Sequence, residues 1–332
     1  MKIAIVQAYD ADLRRQWPAR PPAEFADIEF QFGIAEGADH VIALNGVAAR
    51  TIVDVDPERV WLLIQEPPVP ETRNIYRAQH AFRRIYAPDQ VHPDPRWRTY
   101  WGALNWWVGK SYDELTAVPY PIKTTDLSFI TSNETLLEGH RKRLAFLDGL
   151  KASGIPFELW GRGFRPLPDK WDVLSRSRYA VAFENYRGSD YWTEKLADCF
   201  LSYCTPFYYG ASRIDRYFPQ GSYLPIDLDD PYAFERIRDA IASHFHERNL
   251  SALEEARQLC LTKYNTLFFI AREVNAFGAY PAARRRTTLK KLRPRPQKFP
   301  GNVTSAIVSL IRVVVPRRVK DRIRHWRNQA GR

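Results

Sequence analysis

The most informative stretch of the chain runs from Phe183 to Lys195: Phe-Glu-Asn-Tyr-Arg-Gly-Ser-Asp-Tyr-Trp-Thr-Glu-Lys. The apolar run Tyr179–Phe183 reads as a buried strand that delivers Glu184 and Asn185 to its carboxyl end. A polar loop follows, in which Asp190 is placed to cap a helix over Tyr191–Tyr203, with Glu194 and Lys195 in its first turn. Unpaired N–H groups and the helix dipole make that end a natural anion site. A lysine there disfavours the helix itself and makes sense if an anion such as a diphosphate arrives. The competing reading is an ordinary ion pair, Glu184–Lys195 or Glu194–Lys195, at a helix start.

The elements that must hold these residues alternate between strand and helix. Residues 1–120 read as short strands at Lys2–Gln7, His40–Leu44, Val60–Gln65 and Arg84–Tyr86, joined by Pro-rich and polar connections. Glu66-Pro67-Pro68-Val69-Pro70-Glu71 is a stiff loop, because each proline fixes its own φ and restrains its neighbour. A second pattern begins near 125. It has strands at Leu127–Thr131, Pro156–Trp160, Tyr179–Phe183 and Pro206–Tyr209, and a helix start at Ser132-Asn133-Glu134-Thr135. Helices follow over Glu138–Lys151, 191–203, 231–246 and 249–275. Such alternation predicts parallel βαβ units in two α/β halves facing a crevice, which suits a nucleotide-linked substrate.

The run Phe-Glu-Asn-x5-Tyr-x-Thr-Glu-Lys resembles the signature of glycosyltransferase family 10, the α-1,3/4-fucosyltransferases. So do Pro206-Phe207-Tyr208-Tyr209-Gly210 and Phe218-Pro219-x-x-Ser222-Tyr223. Upstream, Phe129–Asn133 and Arg143–Leu150 resemble the strand that opens the family's donor domain and its helix bearing a donor-binding arginine. The resemblance implies two Rossmann-like domains in the GT-B architecture, GDP-fucose as donor, inversion at the anomeric carbon and no metal or other cofactor. Cleaving a sugar–phosphate bond leaves extra negative charge that fixed cations can hold. Arg143 and Lys195 are those cations by analogy, one a planar fork and the other a point charge. Asn185, Tyr191 and Glu194 line the donor pocket by the same analogy, and Glu184 orients the loop rather than reacting. A general base for the acceptor hydroxyl is implied just after a strand of the first domain. Glu66 occupies that place, with Glu71 as the alternative. The chain departs from the commoner pattern at Trp192, where a small β-branched residue is usual, and at Asp190, often Gly.

Other signals have plainer readings. Asp-x-Asp triplets at Asp10–Asp12, Asp54–Asp56 and Asp227–Asp229 could in principle hold a divalent ion, but none lies in a match to such a fold. Gly161-Arg162-Gly163 is too short for a dinucleotide fingerprint and reads as a turn beside the donor site. Cys199, Cys204 and Cys260 form no CxxC pair, which suggests a reducing compartment, and Cys199 and Cys204 read as packing residues. Trp97, Tyr100, Trp101, Trp106, Trp107 and Tyr112 read first as core, with part of the cluster available to floor an acceptor site.

The 332-residue chain carries 49 Lys and Arg against 38 Asp and Glu, a formal +11. Residues 281–332 hold 16 of the basic residues and a single acid, Asp321, giving +15 and leaving −4 for the rest. A nucleic-acid enzyme with a basic channel would spread that charge over its body. The chain therefore divides into an acceptor domain (1–120), a GDP-sugar donor domain (121–280) and a basic linker and tail (281–332). Within the tail, 284–298 reads as an extended linker. Val303–Val315 is too short to span a bilayer. Val319, Ile323 and Trp326 recur at helical spacing against a basic face, the pattern of an interfacial helix on anionic lipid. No signal peptide or spanning segment is expected. The resulting expectation is a fucosyltransferase peripheral on the cytoplasmic face of a membrane, acting on a lipopolysaccharide-type glycan through an α-1,3-type linkage. Its rivals are a relative using another nucleotide sugar and a non-catalytic basic-tailed membrane or nucleic-acid adaptor.

Overall fold

The computed structural model describes residues 1–289 apart from 9–11, 34–35, 48–49, 77, 90–91, 102–105, 279–282 and 284. The interfacial-helix and linker expectations over 290–332, and Asp10, lie outside the described residues. Seven strands precede residue 100: β1 (Lys2–Gln7), β2 (Glu29–Phe32), β3 (His40–Leu44), β4 (Thr51–Val55), β5 (Val60–Leu63), β6 (Arg84–Ala87) and β7 (Trp97–Thr99). All but β4 form one parallel sheet in the order β2-β1-β3-β5-β6-β7. β3 and β5 are buried along their whole length, so their apolar runs are continuous rather than alternating. Two short helices belong to this half, α1 (Arg73–Tyr76) between β5 and β6 and α2 (Tyr112–Ala117) after β7.

The second sheet is also parallel, in the order β12-β11-β10-β8-β9. Its strands are β8 (Thr125–Ile130), β9 (Glu158–Trp160), β10 (Ser177–Phe183), β11 (Thr205–Tyr209) and β12 (Leu224–Pro225). Its helices are α3 (Glu138–Ala152), α4 (Trp171–Leu174), α5 (Glu194–Leu201), α6 (Ala233–Ala242), α7 (Phe245–Arg248) and α8 (Leu250–Leu261). Period-two alternation splits the strands between two cores. Ala180, Ala182 and Tyr208 face α5 and α8, whereas Tyr179, Val181, Phe183 and Phe207 face α3 and α6. Both sheets belong to one compact unit, Met1–Leu292. Two parallel α/β halves are what the GT-B expectation requires.

Several boundaries differ from expectation for physical reasons. Asp190 does not cap α5. Its carboxylate is held by Arg213 and by Tyr217 Oη at 2.9 Å, and Thr193 Oγ1 caps instead, accepting from the Lys195 N–H at 3.3 Å. The helix therefore starts at Glu194, not Tyr191. Helix α3 begins only at Glu138, because 132–137 runs on as loop. The single helix expected over 249–275 breaks between α8 and α9 (Thr266–Phe277), where Asn265 caps the new helix by accepting from Leu267 N–H at 2.9 Å.

Leu267, Phe268, Ile270, Ala271 and Val274 of α9 pack on Ile3, Ile5, Ile42 and Leu63 of the first sheet, not on the donor half. The chain then continues into β13 (Arg285–Leu289), which pairs antiparallel with β4 and buries Leu289 against the first sheet's other face. Residues 285–289, expected as linker, are thus a strand. Helical periodicity shows that a face is buried but does not say against which sheet. No helix among the described residues is long and apolar enough to cross a membrane.

Candidate active site

The carboxyl ends of β8 and β10 bring the donor-half candidates together. Glu184, directly after β10, has no exposed surface. Its Oε1 accepts from Thr193 N–H at 2.8 Å, both its oxygens lie 2.9 Å from Thr193 Oγ1, and Oε2 lies 3.3 Å from Lys195 Nζ. These bonds brace the loop and the helix start. Burial pushes the Glu184 carboxyl up, and the neighbouring Lys195 opposes that shift. Lys195 Nζ also lies 3.5 Å from Glu194 Oε1. Burial works against its charge, but Glu194 and Glu184 outweigh it and hold the ammonium protonated.

Arg143 projects from α3 and is 6% exposed. Its Nη1 donates to Asn185 Oδ1 at 2.8 Å and its Nη2 to Ser132 Oγ at 3.0 Å, while its buried Nε has no partner. Arg143, Glu194 and Lys195 line one cavity of about 380 Å³, together with Arg162, Lys170 and Asp198. Its charged lining is four cations against two carboxylates, an excess suited to a polyanion. Gly161 adopts φ +114°, and a Cβ there would lie 1.9 Å from the Thr131 carbonyl oxygen. The turn after β9 can therefore press against 131–133 only with glycine, which sets Arg162 on the cavity wall.

Two members of this lining were not found from the sequence. Lys170 Nζ donates to Asp198 Oδ2 at 2.6 Å, and Asp198 Oδ1 accepts from Trp107 N–H at 2.8 Å. Asp198 sits one turn beyond Glu194 on α5. Burial raises the carboxyl of Glu194, but Lys195 and Lys170 more than reverse this and keep it ionised. The local signal was a lone lysine in Pro-Asp-Lys-Trp; its partner lies 28 residues on.

Across from these groups stands Glu66. It follows β5 and is half-buried in the stiff proline loop, where the Tyr76 hydroxyl donates to its carbonyl oxygen at 2.8 Å. Burial raises its carboxyl, Glu194 adds to the shift and Lys195 opposes it. Glu66 thus feels the charged groups of α5 directly, whereas Glu71 is exposed on the rim of a second cavity. That second cavity, about 480 Å³, lies between Pro67–Glu71 of the first half and Leu136–Lys142 and Asn185–Arg187 of the second. Tyr191 is buried and packs edge-to-face on Tyr186.

Trp192 is wholly buried, stacked on Trp101 and edge-on to Phe218 and Tyr264. The departure at this position serves packing beneath the site. Trp97, Tyr100 and Trp106 are core as expected, and Trp107 is 44% exposed. All three cysteines are free and buried.

Two parallel-stranded α/β halves meeting at such a site are the GT-B architecture expected from the sequence. Residues 121–244 match the family model "Glycosyltransferase family 10 (fucosyltransferase) C-term", so the resemblance drawn from the 183–195 motif is shown for that segment. A 3-galactosyl-N-acetylglucosaminide 4-alpha-L-fucosyltransferase of Pan troglodytes is 25% identical over 173 residues, 51% of this chain and 44% of that protein. A human 4-galactosyl-N-acetylglucosaminide 3-alpha-L-fucosyltransferase is 31% identical over 90 residues, 26% of this chain and 25% of that protein. The chain thus matches less than half the length of these relatives. Among solved structures, an alpha1,3-fucosyltransferase with GDP-fucose aligns at 18% identity and TM-score 0.44, covering 77% of this chain and 82% of that one. A T4 phage BGT mutant with UDP-glucose aligns at 9% identity and TM-score 0.44, covering 83% and 99%.

Proposed function

We propose that the chain transfers L-fucose, or a closely related deoxyhexose, from GDP-fucose to a hydroxyl of a glycan acceptor with inversion at the anomeric carbon. The observation that carries this reading is the cavity at the carboxyl ends of β8 and β10, where four cations face two carboxylates inside a family 10 segment. In the step, Glu66 accepts the proton of the acceptor hydroxyl. The acceptor oxygen attacks the anomeric carbon from the face opposite the diphosphate, and the bond from that carbon to the phosphate oxygen breaks. GDP departs with the bonding pair, its added charge held by Arg143 and Lys195. Asn185 and Glu184 position these cations, and Glu194 and Tyr191 bind the donor.

Fixed cations take the part a divalent metal plays in other glycosyltransferases, so transfer is expected to persist in EDTA. The acceptor we favour is a lipid-linked bacterial glycan of the lipopolysaccharide type, joined through an α-1,3-type linkage. The +15 segment from 281 to 332 would hold the enzyme to the inner face of the cell membrane, each basic residue near anionic lipid contributing roughly 1 kcal/mol. A thermal-shift panel of GDP-, UDP- and ADP-linked sugars tests the donor assignment. Stabilisation by GDP and GDP-fucose alone is expected, and equal or stronger stabilisation by a UDP-sugar would overturn it. Deleting residues 290–332 should release the protein from anionic vesicles while leaving donor hydrolysis in place; unchanged vesicle binding would remove the tail from the account.

A further inference from the structure

The loop between Asn185 and Tyr191 is held by a residue of the other half. Asp89, just beyond β6, accepts through one oxygen, Oδ1, from both Ser189 N–H at 2.8 Å and Asp190 N–H at 2.7 Å. Two features of the chain are shaped to allow this. Asp89 adopts φ +48°, a left-handed conformation that aspartate and asparagine tolerate better than most residues. Gly188 provides the room, because a Cβ there would lie 1.7 Å from Asp89 Oδ2. On its far side the same loop is tied within its own half. Its carbonyls accept from Ser212 N–H at 2.9 Å and Arg213 N–H at 3.0 Å, and Asp190 is held by Arg213 and Tyr217.

We propose that Asp89 is a positioning residue of the donor site, a clasp by which the acceptor-side half sets the loop that presents Asn185 and Tyr191. The inference rests on the reading of the cavity as a GDP-sugar site. Asp89 lines neither of the two cavities, and acts by placing two backbone N–H groups of a loop whose ends carry the proposed donor-binding residues. Nothing in the local sequence marks it, since Asp89 and Ser189 are 100 residues apart.

Four proteins test this: wild type, Asp89→Asn, Asp89→Gly and Gly188→Ala. Asparagine keeps an acceptor oxygen and suits the left-handed backbone. Glycine suits the backbone but removes the clasp, and alanine at 188 obstructs it from the other side. Calorimetric titration with GDP should give wild-type affinity within about threefold for Asp89→Asn, and about tenfold weaker binding for Asp89→Gly and Gly188→Ala. The added Cβ at 188 also meets Tyr186 Cε1 at 2.6 Å, so the double variant Asp89→Gly/Gly188→Ala should lose less than the two single losses multiplied together, because both act on the shared Asp89 contact. The donor KM should rise while the acceptor KM stays unchanged, which general loosening of the fold would not produce. Hydrogen exchange of the unliganded protein should quicken at the 186–191 amides in both singles. Wild-type GDP affinity in Asp89→Gly, or losses that multiply in the double variant, overturn the clasp. Quickened exchange with no GDP binding even by wild type would instead overturn the donor assignment and leave the clasp standing.

Discussion

Glu66 and Lys195 show how one pair of opposed environments separates two chemical roles. Burial and the charge of Glu194 raise the Glu66 carboxyl, which makes it a better proton acceptor than an ordinary surface glutamate. The acid limb of kcat/KM should therefore lie above the ordinary glutamate value and vanish in Glu66→Gln. The same shift costs stability. A carboxyl raised in the folded state is destabilising once pH exceeds its unfolded value, so Glu66→Gln should melt higher than wild type near pH 7 and no higher near pH 4. An equal melting difference at both pH values would contradict that environment. Arg143 spends its two terminal nitrogens on Asn185 and Ser132, so Arg143→Lys keeps a charge but loses the fork. It should weaken GDP binding by about tenfold or more, roughly 1.4 kcal/mol. The positions proposed for the base and both cations came from the motif spacing and the strand before Glu66, which are local signals. Lys170 and Asp89 were not, because each is defined by a partner far along the chain.

Helix α5 concentrates the site's energetics in its first two turns. Thr193 caps it by accepting from Lys195 N–H, braces Glu184 and lies 3.2 Å from Lys195 Nζ, so one hydroxyl serves two neighbours. Thr193→Val keeps the shape but removes that hydroxyl. It should cost about 2 kcal/mol in urea unfolding, combining a lost cap with a buried carboxylate left short of a donor, and Thr193→Ser should recover most of it. Lys170→Met leaves Asp198 buried without its cation and should cost on the order of 3 kcal/mol. It should also move the acid limb of donor binding upward as Glu194 loses a neighbouring charge, and an unmoved limb would confine Lys170 to a packing role. The sequence marked this helix by its polarity but started it early, because Asp190 is as good a cap by type as Thr193. Its neighbours Arg213 and Tyr217 decide otherwise, and they become adjacent only after folding.

The whole molecule joins two parallel-stranded halves twice, once at the site and once where α9 and β13 return to the first sheet. The alternation of strands and helices made both sheets legible; the return did not show, since an amphipathic helix does not name its partner. Acid should destabilise this fold. Burial holds His40 and His246 down to about 4, and His246 is bonded through both ring nitrogens, to Tyr120 and Thr205. A histidine lowered in the folded state contributes stability that is full above about 6.5 and lost as pH falls toward 4. Melting temperature should drop across that window, and His246→Gln should flatten the drop. The net charge of +11 is likewise a property of the whole chain that resolves into a mildly acidic body and a basic end. The most direct test of the account is fucose transfer from GDP-fucose to a glycan acceptor by wild type and Glu66→Gln, measured alongside GDP-fucose affinity. Donor affinity within about threefold, with transfer reduced by at least a hundredfold in the variant, is the predicted result. Comparable transfer by both proteins, or no GDP-fucose binding by either, would contradict it.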